Sequence, residues 1–157
     1  GNDNTDAQPE VLCCIGELST SIGAADITEV EMVTTTADKS EGFTISVRVR
    51  YNEPVDVVTT GGTPTLAVTN GNEGTGTGRG PHSLSYASGT GTNELIFSLA
   101  IAAANAATNA DDVLTVGAQS IALNSGTIKD ASGTASDASL VISSAQGTAA
   151  GSVTVTA

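Results

Sequence analysis

The fold class of this chain follows from the residues Phe43-Thr44-Ile45-Ser46-Val47-Arg48-Val49-Arg50-Tyr51. Apolar and polar side chains alternate along it, so one face carries only apolar or aromatic side chains. This period of two is typical of a β-strand with one buried face and one solvated face. We therefore predict a strand here, with Val47 and Val49 deep in the core.

The chain from Ile27 to the C-terminus also contains shorter runs of the same character, which are separated by clusters of Gly, Asn and Ser. No amphipathic helix of ten or more residues intervenes, and Ala100–Ala110 has no leucine stripe and could form only a helical turn. About eight or nine short strands with turn residues between them favour an antiparallel β-sandwich. The predicted runs are Val55–Val58, Thr65–Thr69, Ser83–Ala87, Leu95–Ile101, Val113–Val116, Ser120–Leu123, Ser139–Ser143 and Ser152–Thr156.

The composition limits the classes of partner. The chain has 157 residues, with 17 Asp and Glu against 5 Lys and Arg, and a formal net charge of −12. Such an acidic chain repels phosphate backbones and anionic lipid surfaces, so we expect neither nucleic acid nor membrane as a partner. Its apolar runs fall far short of the roughly 20 residues that span a bilayer.

Catalytic and metal-binding side chains are scarce. His82 is the only histidine, and the two cysteines, Cys13 and Cys14, are adjacent. One His and a neighbouring Cys pair cannot assemble a Cys/His zinc site, and a catalytic Ser-His-Asp set would depend on His82. We expect no enzymatic activity and no cofactor, and we expect His82 to be a surface or half-buried residue. Cys13 and Cys14 are interpreted as small buried hydrophobes, with interchain disulfides or metal capture as the alternatives.

Several carboxylates lie near predicted strand ends, where two or three could converge on Ca²⁺. No Asp-x-Asp-x-Asp-Gly loop is present, so solvated surface charge is the preferred interpretation and no metal site is predicted. These carboxylates are Glu53, Asp56, Asp111, Asp112, Asp130 and Asp137.

Two segments are candidates for contact with a partner. Residues 1–25 show no sustained period but contain the apolar side chains Val11, Leu12, Ile15 and Leu18. We predict an extended N-terminal arm here, followed by a single domain over residues 26–157, with the arm's apolar side chains docked on the domain or on a neighbouring subunit. The glycine-rich run at residues 71–80 lacks the Gly-Lys-Ser/Thr of a phosphate loop and predicts a hairpin loop that exposes Arg79.

Four phrases in order resemble the bacterial Ig-like repeats of very large surface adhesins. In those repeats the corresponding phrases are aromatic-Ser-Glu-Pro-Val, Thr-Gly-Thr-Pro-x-Leu, Tyr-x-Ser-Gly-Ser-Gly-Thr-x-x-Leu-x-Phe and Leu-Asn-Gly-Gly-Thr-Ile-x-Asp-Ala-x-Gly. Here they read Tyr51-Asn52-Glu53-Pro54-Val55, Gly61-Gly62-Thr63-Pro64-Thr65-Leu66, Tyr86-Ala87-Ser88-Gly89-Thr90-Gly91-Thr92-Asn93-Glu94-Leu95-Ile96-Phe97 and Leu123-Asn124-Ser125-Gly126-Thr127-Ile128-Lys129-Asp130-Ala131-Ser132-Gly133. The resemblance implies an Ig-like antiparallel β-sandwich of the Greek-key type.

Domains of this kind also occur on tailed-phage virions as decoration or appendage proteins, so the resemblance implies two settings. The insertion Glu73–Gly80 and the single copy with a dissimilar arm depart from a repeat array. Gly1 suits removal of a Met, although a cleaved precursor or an expression tag would also leave it. We take this start, the lack of a basic and apolar leader, the short length and an arm suited to clasping a neighbouring subunit to favour the virion. We expect a structural protein on the capsid surface that contacts the major capsid protein or neighbouring copies of itself through its arm and edge strands. The alternative is a module of a bacterial cell-surface adhesin whose partner is a host-surface glycan or protein.

Overall fold

The structure, a computed structural model, describes residues 23–72, 81–105, 107–131 and 136–157. These residues form an all-β fold with a single short helix, which confirms the predicted fold class at that level. The elements are β1 (Ile27–Met32), β2 (Ala37–Asp38), β3 (Phe43–Val58), β4 (Thr65–Asn72), β5 (His82–Ser88), β6 (Thr92–Ile101), β7 (Asp112–Thr115), β8 (Gln119–Ser120), β9 (Thr127–Asp130), β10 (Val141–Ile142), α1 (Ser144–Ala149) and β11 (Ser152–Thr156).

The strands form one curled sheet in the order β1-β3-β6-β5-β4-β7-β11-β2, and β9 pairs with β3 beside this path. β8 and β10 form a separate pair. All pairings are antiparallel except that of β11 with β2. β4 divides its partners, because Thr65–Val68 pair with β5 while Thr69–Asn72 pair with β7. This division lets the sheet curl around a common core.

β3 has the predicted alternation. Ile45, Val47, Val49 and Tyr51 are almost completely buried, while the side chains between them lie on the outer face. The strand is longer than predicted, since the runs 43–51 and 55–58 join into one element whose register shifts between Arg50 and Val55. Pro54 lies in this shift, where a residue without an N–H group can be accommodated in a strand.

Other elements differ from the sequence predictions. The predicted strand Ser120–Leu123 is reduced to β8, and Ser139–Ser143 to β10, whereas β9 was not predicted. α1 was not predicted either. It begins with a capping box in which Ser143 and Gln146 satisfy each other's backbone N–H groups. The described residues between 102 and 111 form turns and contain no helix.

The core is a single cluster of aliphatic side chains, and the four aromatic residues of the chain face it. Tyr51 and Phe97 are fully buried, while Phe43 and Tyr86 are partly buried against them. Tyr86 meets Phe97 edge to face at a centroid distance of 6.1 Å. The helix covers one edge of the sheet, because Gln146 Nε2 donates to the carbonyl of Ile27 at 2.6 Å and the N–H of Met32 donates to Ala150 at 2.8 Å.

Candidate functional site

The predicted contact residues lie outside the described part of the chain. Val11, Leu12, Ile15 and Leu18 belong to residues 1–22, and Arg79 belongs to residues 73–80. Cys13 and Cys14 also lie in the first of these segments. The assignments of these residues therefore stay predictions.

The described chain enters the core where the predicted arm meets the domain. Ala25 is completely buried, and its carbonyl accepts a hydrogen bond from the N–H of Ser139 at 2.8 Å. The next residue, Asp26, donates its N–H to the side chain of Asn52 at 2.8 Å. The hydroxyl of Tyr51 donates to the carbonyl of Ser139 at 3.1 Å. These bonds fix the positions of Ala25 and Asp26 at the start of the domain.

The six carboxylates do not share one environment. Asp56, Asp111 and Asp137 are exposed, as predicted, but Asp112 and Asp130 are 0 % and 1 % exposed, so the surface assignment is wrong for these two. Both continue the alternation of β7 and β9 on the side that faces the core. Among the described residues, no three His, Cys, Asp or Glu side chains are grouped so as to hold a metal ion.

Glu53 is the half-buried carboxylate of this set. Its Oε1 atom is buried and has no hydrogen-bond partner among the described residues. Burial raises the pKa of Glu53, and the negative charges of Asp130 and Asp26 raise it further. The carboxyl therefore holds a proton more tightly than a solvated glutamate does.

The prediction that His82 is a surface or half-buried residue is wrong. Its exposed fraction is 6 %, because β5 directs it toward the core beside Leu84. Its Nε2 atom forms a hydrogen bond of 2.8 Å with Oγ1 of Thr108, which is completely buried. Burial lowers the pKa of His82, and the charge of Asp112 acts in the opposite direction.

Three buried polar side chains from three strands hold one short segment, residues 107–109. Asn70 of β4 donates through Nδ2 to the carbonyl of residue 107, and His82 of β5 bonds to Thr108. Asp112 at the start of β7 accepts the N–H of Asn109 on Oδ2 at 2.8 Å. We call Asn70, His82 and Asp112 the buried polar triad. Because a hydrogen-bonded polar group tolerates burial, the triad ties this segment to the sheet.

The bonds of the triad leave two acceptors unused. Asn70 Oδ1 and Asp112 Oδ1 are buried and have no hydrogen-bond partner among the described residues. The register of β4 and β7 pairs Asn70 with Leu114 and Asn72 with Asp112, so Asn70 and Asp112 are diagonal neighbours on one face of the sheet. The part of the sheet beside residues 107–109 is therefore rich in acceptors.

The sequence contained a signal for the triad. Each member continues a run of core-facing positions, namely Leu66-Val68-Asn70 along β4, His82-Leu84 along β5 and Asp112-Leu114-Val116 along and after β7. Extending the period of two by one step would have marked all three as buried polar residues.

The outer face of β1, β3 and β6 carries a network of charges. Arg48 is ion-paired with Glu31 and lies 3.7 Å from Glu94, measured from Nη1 to Oε2. Arg50 contacts Glu29 at 2.6 Å and Glu94 at 2.6 Å. The hydrogen bond from Arg50 is the main cause that lowers the pKa of Glu94. Three of these pairs join residues directly opposite each other in the strand register, and Arg48–Glu94 is a diagonal pair. As exposed ion pairs they contribute little to stability.

The other two cations in the described residues are also engaged. Lys129 pairs with Asp137 at 2.8 Å, and Lys39 donates to the carbonyl of Asn105 at 2.5 Å. The described surface therefore offers no isolated cation to an anionic ligand. Its remaining charge is negative, in agreement with the composition.

A surface groove of about 390 Å³ lies between the turn after β7 and the end of α1. Small uncharged residues line it: Thr115, Gly117, Gly147, Thr148, Gly151 and Ser152. The helix and the turn approach closely here, since a Cβ atom on Gly147 would lie 2.4 Å from the backbone of Gly117. The groove offers hydroxyl and backbone groups but no side chain suited to acid–base chemistry.

Comparison of the chain with protein-family models, curated proteins and solved structures finds no match.

Proposed function

We propose that this chain is a non-enzymatic structural protein with an Ig-like sandwich, which decorates the shell of a tailed-phage virion and binds it through the N-terminal arm. The strand order supports the Ig-like part. Ig domains of the constant type have strands A, B, E and D in one sheet and C, F and G in the other. The series β1, β3, β6, β5 followed by β4, β7, β11 has that order.

The phrases that resemble the adhesin repeats fall at structurally special positions, which also supports the Ig-like fold. Tyr51–Val55 contains the register shift of β3, and Gly61–Leu66 leads into β4. Tyr86–Phe97 spans the hairpin between β5 and β6. The phrases therefore coincide with positions where the backbone turns or a strand begins, so the resemblance concerns the path of the chain as well as its composition.

The observation that carries the virion proposal is the fixed origin of the arm. Ala25 is buried and bonded to Ser139, so a force on residues 1–22 is transmitted directly to the core. A protein that remains on a shell through a terminal segment needs such an anchorage. Gln146 and Ala150 already occupy backbone groups at the outer edge of β1, which supports the arm rather than this edge strand as the means of attachment.

The surface charge is consistent with a crowded array. The chain has a net charge of −12, and the described cations are all engaged with acceptors. Copies held close together on a shell therefore repel one another and stay soluble. The second candidate, a module of a cell-surface adhesin, is favoured by the order of the four phrases.

The test begins with mass spectrometry of purified virus particles and of purified cell envelopes from the source culture. We expect the chain in particles, in constant proportion to the major shell protein. Recovery from envelopes as part of a longer polypeptide would overturn the virion proposal and support the adhesin.

The second step tests the arm. Particles stripped of the chain are incubated with the full chain or with a variant lacking residues 1–22, which retains Ala25 and its hydrogen bond to Ser139. We expect the truncated chain to fold, as judged by circular dichroism, and to lose binding. Binding of the truncated chain at full strength would assign the contact to the domain.

A further inference from the structure

We propose that His82 and Thr108 form an acid-sensitive latch, in which protonation of the His82 ring replaces its bond to Thr108 by an ion pair with Asp112 and releases residues 107–109. The proposal does not depend on the function proposed above. It rests on the geometry of the buried polar triad and on the acceptor that this geometry leaves unused.

The closed state favours an uncharged ring. His82 is 6 % exposed and Thr108 is 0 % exposed, and the partner of the ring is a neutral hydroxyl at 2.8 Å. A protonated imidazole in that position would be a buried charge whose hydrogen-bond partner, the Thr108 hydroxyl, is neutral. Burying such a charge costs free energy. Burial lowers the pKa of His82 for this reason.

The released state has an acceptor available. Asp112 is 0 % exposed, and its Oδ1 has no hydrogen-bond partner, while Oδ2 holds the N–H of Asn109. The carboxylate is close enough for its charge to raise the pKa of His82. A protonated ring donates from both nitrogens and accepts from neither, so the unused carboxylate oxygen is a better partner than the Thr108 hydroxyl.

The groups around the ring are few. From β4 the neighbouring polar side chain is Asn70, which is uncharged; from the held segment it is Thr108; and from β7 it is Asp112. Among these three neighbours of His82, only Asp112 carries a charge. Release of Thr108 weakens the hold on the segment, because it removes the bond from β5 and leaves only the bond from Asn70 to residue 107 and the two bonds between Asp112 and Asn109.

The titration can be assigned because the chain has a single histidine. Between about pH 5 and 7 histidine is the side chain whose ordinary pKa lies in the window. Glu53 is the second group to consider, since its pKa is raised. Glu53→Gln therefore serves as the matched control for His82→Gln.

The experiment is hydrogen exchange of the full chain at pH 7 and pH 5, corrected for the intrinsic rate at each pH. We expect protection of residues 107–112 to fall at least tenfold at pH 5 in the wild type and in Glu53→Gln, and to stay constant in His82→Gln. Unchanged protection in the wild type, or an equal loss in His82→Gln, would overturn the proposal.

A measurement on the unmodified chain covers the case in which His82→Gln does not fold. Nuclear magnetic resonance follows the His82 ring and the amides of residues 107–109 through the same pH range. The latch requires a common midpoint, below the ordinary histidine value of 6.5. Different midpoints for ring and amides, or a ring midpoint at or above that value, would exclude it.

Discussion

At the residue scale, Glu53 and His82 give the fold two opposite responses to acid. The pKa of Glu53 is raised in the folded protein, so the folded state binds this proton more tightly and gains stability as the pH falls through that raised value. The pKa of His82 is lowered in the folded protein, so the fold loses stability as the pH falls below the ordinary histidine value of 6.5.

Glu53→Gln separates the two responses. We expect the variant to be more stable than the wild type at pH 7, because it removes a carboxylate that is poorly solvated and repelled by Asp130 and Asp26. The stability of the variant should also rise less than that of the wild type as the pH falls, because the variant has no carboxylate at position 53 to take up a proton. Urea unfolding at several pH values between 5 and 7.5 measures both effects.

Asp56→Asn is the control for this prediction, since it removes one carboxylate from the same strand at an exposed position. The environment of Glu53 is responsible only if the control leaves the pH dependence unchanged. If Asp56→Asn and Glu53→Gln change the stability and its pH dependence equally, the change in net charge alone explains the result and the prediction is wrong.

At the scale of elements, the contact between α1 and the turn after β7 depends on a glycine. Gly147 is buried within the helix, and a Cβ atom there would lie 2.4 Å from both the carbonyl carbon and the carbonyl oxygen of Gly117. Helix propensity alone favours alanine over glycine by about 1 kcal/mol. The packing and the propensity therefore predict opposite signs for the same substitution.

We expect Gly147→Ala to destabilise the protein by about 1–3 kcal/mol, the usual cost of overpacking a close contact. Chemical denaturation measures this difference. The control is Ala149→Gly at an exposed position of the same helix, which should cost about 0.5–1 kcal/mol through propensity. A stabilised Gly147→Ala variant would show that the helix does not pack on the turn as described.

The same helix protects a sheet edge. Through Gln146 and Ala150 it occupies backbone groups of Ile27 and Met32 on β1. Covering an edge with a helix is a known way to prevent pairing with another chain. A helix of six residues thus covers part of an edge strand that would otherwise be open to pairing.

At the scale of the whole molecule, the acidic side chains of the described residues are exposed or half-buried, except for the buried Asp112 and Asp130. The chain carries a net charge of −12, and part of the described charge is taken up by the pairs of Arg48, Arg50 and Lys129. Repulsion among the remaining charges opposes the compact state and is screened by salt. Any added electrolyte should therefore stabilise the fold to some degree.

We expect millimolar Ca²⁺ to raise the melting temperature no more than NaCl at the same ionic strength. The described residues contain no group of three carboxylate, histidine or cysteine ligands for a metal. Differential scanning calorimetry in the two salts provides the comparison. A rise with Ca²⁺ that exceeds the NaCl control by about ten degrees corresponds to roughly 3 kcal/mol of specific binding and would contradict the prediction.

The local pattern of the chain was sufficient for the all-β class, the central strand β3 and the inward direction of Phe43 and Tyr51 along it. Alternation along Phe43–Tyr51 is a local property, since successive side chains of a strand point to opposite faces whatever the strand packs against. The same rule would have marked Asn70, His82 and Asp112 as buried, had it been applied to polar residues.

The hydrogen-bond partners of those buried polar groups follow only from contacts made in the folded protein. His82 meets Thr108 across 26 positions of sequence, and Asn70 meets residue 107 across 37. The joining of two predicted strands into β3 and the closure of α1 on β1 depend equally on distant partners. A hydrogen bond or an ion pair between distant residues leaves no periodic trace along the chain, because its partners are brought together only when the sheet curls.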